Sequence, residues 1–309
     1  MIPSKTKSPG WLAFELNVLR RFEFASVALP FTGEPNLGAY LKRRKARVLA
    51  NDLTQSAFVK AVAAIQNNSE LLSDEDVEIV LEDAYVPRYQ LQNPALRNWF
   101  NETDSWWFDN VRQNIERLPT LFAKATAMTL AMQAGNYLLS FTEETRELRQ
   151  PLSTVFRRLR STFPAPVNNG QNNACHNKNA VEFIAENYVD LMFLRLPRAH
   201  NLSLRNAMGW TAWQEEWLQA GDAFWTDLEA MQTGKLGTHV ETKNQYLRLV
   251  EDLLKTAAHI EKWAIAHTED GFISTHELVE AIARVRHVDT IFTKDFSELT
   301  GMKAVIITA

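Results

Sequence analysis

An α/β fold with a mostly parallel sheet is predicted by two features of the sequence and agrees with a third. Short apolar runs rich in β-branched and aromatic residues recur along the 309 residues. Amphipathic helical patterns alternate with these runs instead of being segregated from them, as β-α-β crossovers require. A hydrophobic share of 46% with 23% charged residues is that of an ordinary globule, and the length suffices for one large α/β domain or a core carrying an insertion.

The elements follow in order. "SVALPF" (26–31) and "ARVLAND" (46–52) read as the first two strands, and "LTQSAFVKAVAAIQ" after them as a helix. "VEIVLEDA" (77–84) reads as a further strand. Between about 85 and 175 the pattern changes: "WWFDNVRQNIERLPTLFAKATAMTLAMQAGNYLLSF" is helical, and "FPAPVNNGQNNACHNKN" is a loop of Pro, Asn and Gly. "VDLMFLRLP" (189–197), "KWAIAHTED" (262–270) and "KAVIITA" (303–309) are strands. The helix before the second of these places Tyr246, Leu249, Val250, Leu253 and Leu254 at helical spacing. The predicted organisation is an α/β core in two parts, 1–84 and 176–309, interrupted by a largely helical insertion at 85–175. No internal repeat is evident.

Composition excludes several classes. No apolar run approaches the roughly 20 residues of a membrane helix, and the opening "MIPSKTKSPGW" has no apolar signal core. The single cysteine, Cys175, rules out an internal disulfide framework and suits a reducing cytoplasm. A net charge of −4 argues against a wholesale nucleic-acid coat and leaves room for a local basic patch.

Three segments carry chemistry. "ALPFTGEPNLGAYL" is a strand, a turn containing Gly33 and a helix, an arrangement in which backbone N–H groups can approach a ligand closely. "RVLANDL" ends the next strand on Asn51 and Asp52, where an acidic residue can accept hydrogen bonds from ribose hydroxyls, although Asn-Asp at such a place also caps helices. "VDLMFLRLPRAH" is a core strand opening onto Arg195 and Arg198, at the kind of strand end where open α/β sheets put their chemistry.

In this order the segments resemble those of the Dam-type adenine-N6 DNA methyltransferases. There the first strand runs into a Glu-Pro-Phe-x-Gly-x-Gly loop that holds S-adenosylmethionine. The next strand ends in Asn-Asp, and a later one in Asp-Pro-Pro-Tyr. "DSWWFDNVRQNIERL" is similar to the family's inserted helices, and "KWAIAHTEDGFISTHELVEAI" and "AVIIT" to its closing elements. The resemblance implies a Rossmann-like S-adenosylmethionine-dependent methyltransferase fold, with Phe31, Gly33, Asn51 and Asp52 as cofactor-side residues and DNA as the partner.

Departures from the family pattern bear on function. Arg195 stands in place of the catalytic Asp, Leu196 in place of the first proline and Arg198 in place of the Tyr, with Pro197 kept. Arginine offers donors and no acceptor, so the resemblance with these changes implies a protein that no longer methylates adenine by the family's route. Leu29 replaces the loop's Glu, Pro35 replaces its second Gly, and "KSPGWLAFEL" puts Trp11 or Leu12 near an expected Lys. Arg195 and Arg198 are either solvated charges or an anion clamp. The expected activities are a DNA-binding module, a module binding a methyltransferase or restriction partner protein, or an enzyme with a divergent site; Asp190 lies a strand-length too early to act as its acceptor.

Other signals are weighed on their residues. Lys42, Arg43, Arg44 and Lys45, with Arg47, and then Arg157, Arg158 and Arg160, are either exposed helix charges or contacts to a DNA backbone. Tryptophans 106, 107, 210, 213, 217 and 225 suit packing better than base stacking. Cys175–His176 in an Asn-rich loop is a weak metal or nucleophile signal. "DGFISTHEL" mimics half of an EF-hand loop, but Ala266 and Thr268 fall where calcium needs oxygen-rich ligands, and a helix capped by Ser274 or Thr275 explains the same residues.

Overall fold

The computed structural model describes residues 10–269, 271–297 and 302–309. Seven strands form one sheet: β1 (Ser26–Leu29), β2 (Arg47–Asn51), β3 (Ala174–His176), β4 (Leu191–Arg195), β5 (Lys262–Glu269), β6 (Thr290–Phe296) and β7 (Met302–Thr308). Their order across the sheet is β3-β2-β1-β4-β5-β7-β6. β1 to β5 pair in parallel, whereas β7 runs antiparallel to both β5 and β6. This is a Rossmann-like methyltransferase fold, as the sequence predicts.

Thirteen α-helices are described: α1 (Trp11–Leu19), α2 (Asn36–Arg43), α3 (Gln55–Ala61), α4 (Asp74–Leu81), α5 (Glu102–Ile115), α6 (Leu121–Leu139), α7 (Leu152–Thr162), α8 (Ala180–Glu186), α9 (Leu204–Met208), α10 (Ala212–Leu218), α11 (Trp225–Gln232), α12 (Lys243–Thr256) and α13 (Thr275–Ala283). α3 continues into a π-helical turn, Val62–Gln66.

The period-2 alternation of the strands divides the core. Val27, Leu29, Val48, Ala50 and Phe193 face α1, α2 and α3, whereas Ala28, Leu49, Met192 and Leu194 face α8, α12 and α13. Covered on both faces, the central strands read as continuous apolar runs, as parallel sheets do. α4 to α7 and α10 form a separate helical body around Trp107, Phe108, Trp213 and Trp217. In it α6 is apolar almost all round its nineteen residues and correspondingly buried.

The structure departs from the sequence reading at four places. Residues 77–84 are not a strand: α4 occupies Asp74–Leu81, started by a capping box between Ser73 and Asp76 with Asp74, Glu75 and Asp76 in its first turn. The cap and the acidic first turn outweigh the β-branched run. The polar loop contains β3, which pairs with β2 from Leu49↔Ala174 to Asn51↔His176, so the sheet resumes before residue 175. β6 was not anticipated, and α10 joins the helical body from within the expected C-terminal part of the core.

Gly135 on α6 marks a close join between these helices, because a Cβ there would overlap the Trp213 ring. Gly135→Ala is expected to destabilise the protein. Overpacking costs about 1–3 kcal/mol, more than the roughly 1 kcal/mol alanine gains in helix propensity. Urea unfolding checks this, and an unchanged or higher midpoint would refute the close approach.

Candidate functional site

β1 and β4 are neighbours whose following connections lead to opposite sides of the sheet, toward β2 and β5 respectively. The crevice past their carboxyl ends is the topological switch point where open α/β folds bind ligands. The loop after β1 enters it and is fastened to the end of β2. Thr32 N donates to Asn51 O (2.9 Å), Asn51 N to Thr32 Oγ1 (3.1 Å) and Asn51 Nδ2 to Pro30 O (3.1 Å). Gly33, at φ +54°, donates its N–H to Asp52 Oδ2 at 2.8 Å. Asp52 Oδ1 accepts from the backbone N–H (3.0 Å) and hydroxyl (2.7 Å) of Thr54, leading into α3. Burial raises the Asp52 carboxyl above its ordinary value, against the hydrogen bonds from Gly33 and Thr54 and the charge of Lys60.

The structure therefore brings Gly33, Asn51 and Asp52 together, with Phe31 beside them against the sheet core. What they form is a clasp made of the protein's own groups. Both Asp52 oxygens are engaged, and Pro35 sits at the N-cap of α2 at φ −77°.

Arg195 is neither a solvated charge nor a free anion clamp. Its Nε and Nη2 donate to the two Glu15 oxygens at 2.7 and 2.6 Å, and Nη1 reaches Thr32 O at 3.3 Å. Glu15 has no exposed side-chain surface, Arg195 keeps 15%, and Trp11 Nε1 donates to Glu15 Oε1 at 2.7 Å. Glu15 was missed in the sequence. The signal was an acid in line with Trp11 and Leu19 on the buried face of α1, which demands a cationic partner.

With the pair in place, the crevice bounded by Leu29, Phe31, Thr32, Leu37, Phe193 and Arg195 has a cavity volume of about 0 Å³. The space past the end of β4, beside Leu196, Pro197, Arg198, Tyr246 and Phe272, is about 20 Å³, enough for one water. Ligand pockets generally need about 300 Å³ or more. Leu196 N extends the ladder to Ala266 O, Pro197 O accepts from Tyr246 Oη (2.7 Å), and exposed Arg198 places Nη2 2.8 Å from Met302 Sδ. The space beside Arg195, as the side chains stand, does not admit a group the size of S-adenosylmethionine. Asp190 lies at the other end of β4, accepting from Ala25 N (2.7 Å) and Ser26 N (2.9 Å).

The basic residues divide. Lys42, read as a possible DNA contact, is buried and donates through Nζ to Asn67 O at 2.6 Å; burial lowers its ammonium to about 8. Arg157 forms a forked pair with Glu78 (2.7 and 3.0 Å), and Arg160 pairs with Asp74 (2.6 Å), so α7 turns these charges onto α4. Arg158 bonds Gln150 Oε1 at 2.8 Å and lies over Tyr137. Arg43, Arg44 and Lys45 are exposed at the end of α2, without ion-pair partners among the described residues.

The sequence also concealed two buried acids of α10. Glu215 accepts from Gln55 N (2.9 Å) and Ser56 N (2.7 Å), capping α3, and burial pushes its carboxyl up. Glu216 accepts from Trp99 Nε1 (2.6 Å), Trp225 Nε1 (3.1 Å) and Arg205 Nε (2.6 Å). Trp106, Trp107, Trp213, Trp217 and Trp225 are buried, as packing requires, and Trp210 is half-buried. Burial raises the Cys175 thiol to about 12, which makes it unreactive. No group of three or more potential metal ligands exists among the described residues. Glu277 is occupied in a capping box with Ser274 at the start of α13; Asp270 of the EF-hand-like stretch, and residues 7–9 of "KSPGWLAFEL", lie outside the described residues. No described helix is long and apolar enough to cross a membrane.

Fold and switch-point architecture define a methyltransferase-type α/β domain. No family model matches the chain. It is 23% identical over 330 aligned positions, covering 97% of this chain and 92% of the other, to the Type II methyltransferase M2.HphI of Haemophilus parahaemolyticus. A similarity spread over nearly the whole of both chains supports a methyltransferase relationship.

Removing one partner of a buried ion pair commonly costs about 3–5 kcal/mol, and the residual exposure of Arg195 places this pair at the low end. Glu15→Leu is expected to destabilise accordingly, and Glu15→Leu with Arg195→Met to recover most of the loss. A denaturant double-mutant cycle measures both, and additive losses would disprove the coupling.

Proposed function

We propose that this chain is an adenine-N6 DNA methyltransferase-like protein that has lost methyl transfer and acts as a binding module in a reducing cytoplasm. The observation carrying the reading is the Arg195–Glu15 pair at the switch point. Transfer to an exocyclic amine builds positive charge on nitrogen, which a nearby acceptor must relieve. Arg195 supplies only donors there, and they are spent on Glu15 and Thr32, so the position offers no acceptor for the amine proton. Where the resembled family has its catalytic Asp, this chain has a guanidinium engaged by Glu15.

The module's partner, on this reading, is DNA, contacted by Arg43, Arg44 and Lys45. Their exposure without ion pairs supports the assignment, as does the relationship to a Type II methyltransferase. A methyltransferase or restriction subunit is the rival partner, favoured by the net charge of −4 and by the neutralisation of Arg157 and Arg160.

Two measurements test these statements. Incubation with methyl-labelled S-adenosylmethionine and unmethylated DNA is expected to leave the DNA unlabelled, and calorimetry to show no cofactor binding at millimolar concentration; label in the DNA would establish a divergent enzyme. Gel shifts over a salt series are expected to show weak DNA binding whose log–log slope is roughly −2 to −3, as three phosphate contacts require. Binding abolished by Arg43→Glu/Arg44→Glu/Lys45→Glu supports DNA as the partner, whereas no binding at low salt transfers the assignment to a protein.

A further inference from the structure

A roomier cavity lies outside the switch point. It occupies about 340 Å³ between α2, the π-helical turn after α3, α6 and the segment 163–167. That volume falls in the range of small-molecule sites, unlike the closed space beside Arg195. Its walls combine three kinds of surface.

Small and rigid groups make the first: Ala39, Ala63 and Ala64 on the helices, with Pro164 and Pro166 from the Pro-rich stretch. Tyr40 and Phe163 add aromatic surface. Uncommitted polar groups make the second. Asn36, Tyr40 Oη and Gln133 have no hydrogen-bond partner among the described residues, and Asn136 spends only its oxygen, on Gln214 Nε2 at 2.8 Å. Elsewhere the same residue types are tied to the protein: Asn51, Asn67, Asn114 and Asn169 each satisfy backbone groups. Charge makes the third. Lys42, Arg43 and Lys60 line the cavity against one acid, Glu34, which pairs with Lys60 at 2.7 Å. Arg43 and Lys42 have no carboxylate partner among the described residues, and Arg44 and Lys45 extend the positive charge from the end of α2. π-helical turns are themselves frequent at functional sites.

We propose that this cavity binds a small anion carrying a flat ring, of the size and chemistry of a nucleoside 5′-monophosphate. The phosphate meets Arg43 at the cationic side. The ring lies among the alanine, proline and aromatic groups, and its polar edge is met by Gln133 and Asn136. The site shares only Glu34 with the crevice at the switch point, so the proposal stands whether or not the chain transfers methyl groups.

Calorimetric titration of the full chain with adenosine, cytidine, guanosine and uridine 5′-monophosphates, with inorganic phosphate and with adenosine tests it. Saturable binding of at least one monophosphate is expected, at least tenfold tighter than phosphate or adenosine. Arg43→Ala and Gln133→Leu are each expected to weaken it fivefold or more, and Ala64→Phe, which fills the cavity, to abolish it. Circular dichroism and the unfolding midpoint certify that each variant is folded; should Ala64→Phe not fold, the other two carry the test. No saturable binding to millimolar ligand overturns the proposal. So does equal affinity for phosphate alone, which marks a surface cation effect, or binding indifferent to Arg43→Ala and Gln133→Leu.

Discussion

The arrangement of the switch point depends on one buried ion pair. Isolated in the interior, either Glu15 or Arg195 would be prohibitively costly. Together they form two short charge-assisted bonds, and the remaining capacity is met locally, by the Trp11 indole on the carboxylate and the Thr32 carbonyl on the guanidinium. Such a pair adds little net stability compared with a well-packed apolar substitute. Its effect is positional. It docks α1 onto the end of β4, fixes the loop after β1 from one side while Asn51 and Asp52 hold it from the other, and closes the space beside Leu29, Phe31 and Phe193.

A second pair of acids does comparable work at the boundary between sheet and helical body. Glu215 and Glu216 are adjacent on α10, yet they reach in different directions, one to the N-terminus of α3 and the other to two indoles and an arginine. The carboxylate over the α3 amides satisfies donors that a helix start leaves open and interacts favourably with its dipole. Five donors from four separate segments thus converge on two residues, which explains how a fully buried helix carries the sequence Trp-Gln-Glu-Glu-Trp.

How much of this was legible follows from how local each feature is. β1, β2, β4, β5 and β7 announce themselves because strands buried on both faces are continuous apolar runs. β3 is three residues long within Asn-rich chain and β6 is largely exposed, so neither presents a pattern. α4 was legible and misread, since its Ser73–Asp76 cap stood in the sequence beside an apolar run that looked like a strand. The Gly33–Asp52 pairing could be anticipated from segment order. The partnership of Arg195 with Glu15 could not, because 180 residues separate them and only the closed sheet makes them neighbours. Burial of Lys42 was hidden for the same reason, inside what reads as one basic run.

The placement of β7 gives one strand two duties. β6 precedes β7 in the chain, yet in the sheet β7 lies between β5 and β6 and touches both. Without β7, β5 would present an open edge and β6 would have no neighbour in the sheet. An unpaired strand edge is a template for association, so β7 both completes the sheet and covers the edge by which two copies of the chain could join.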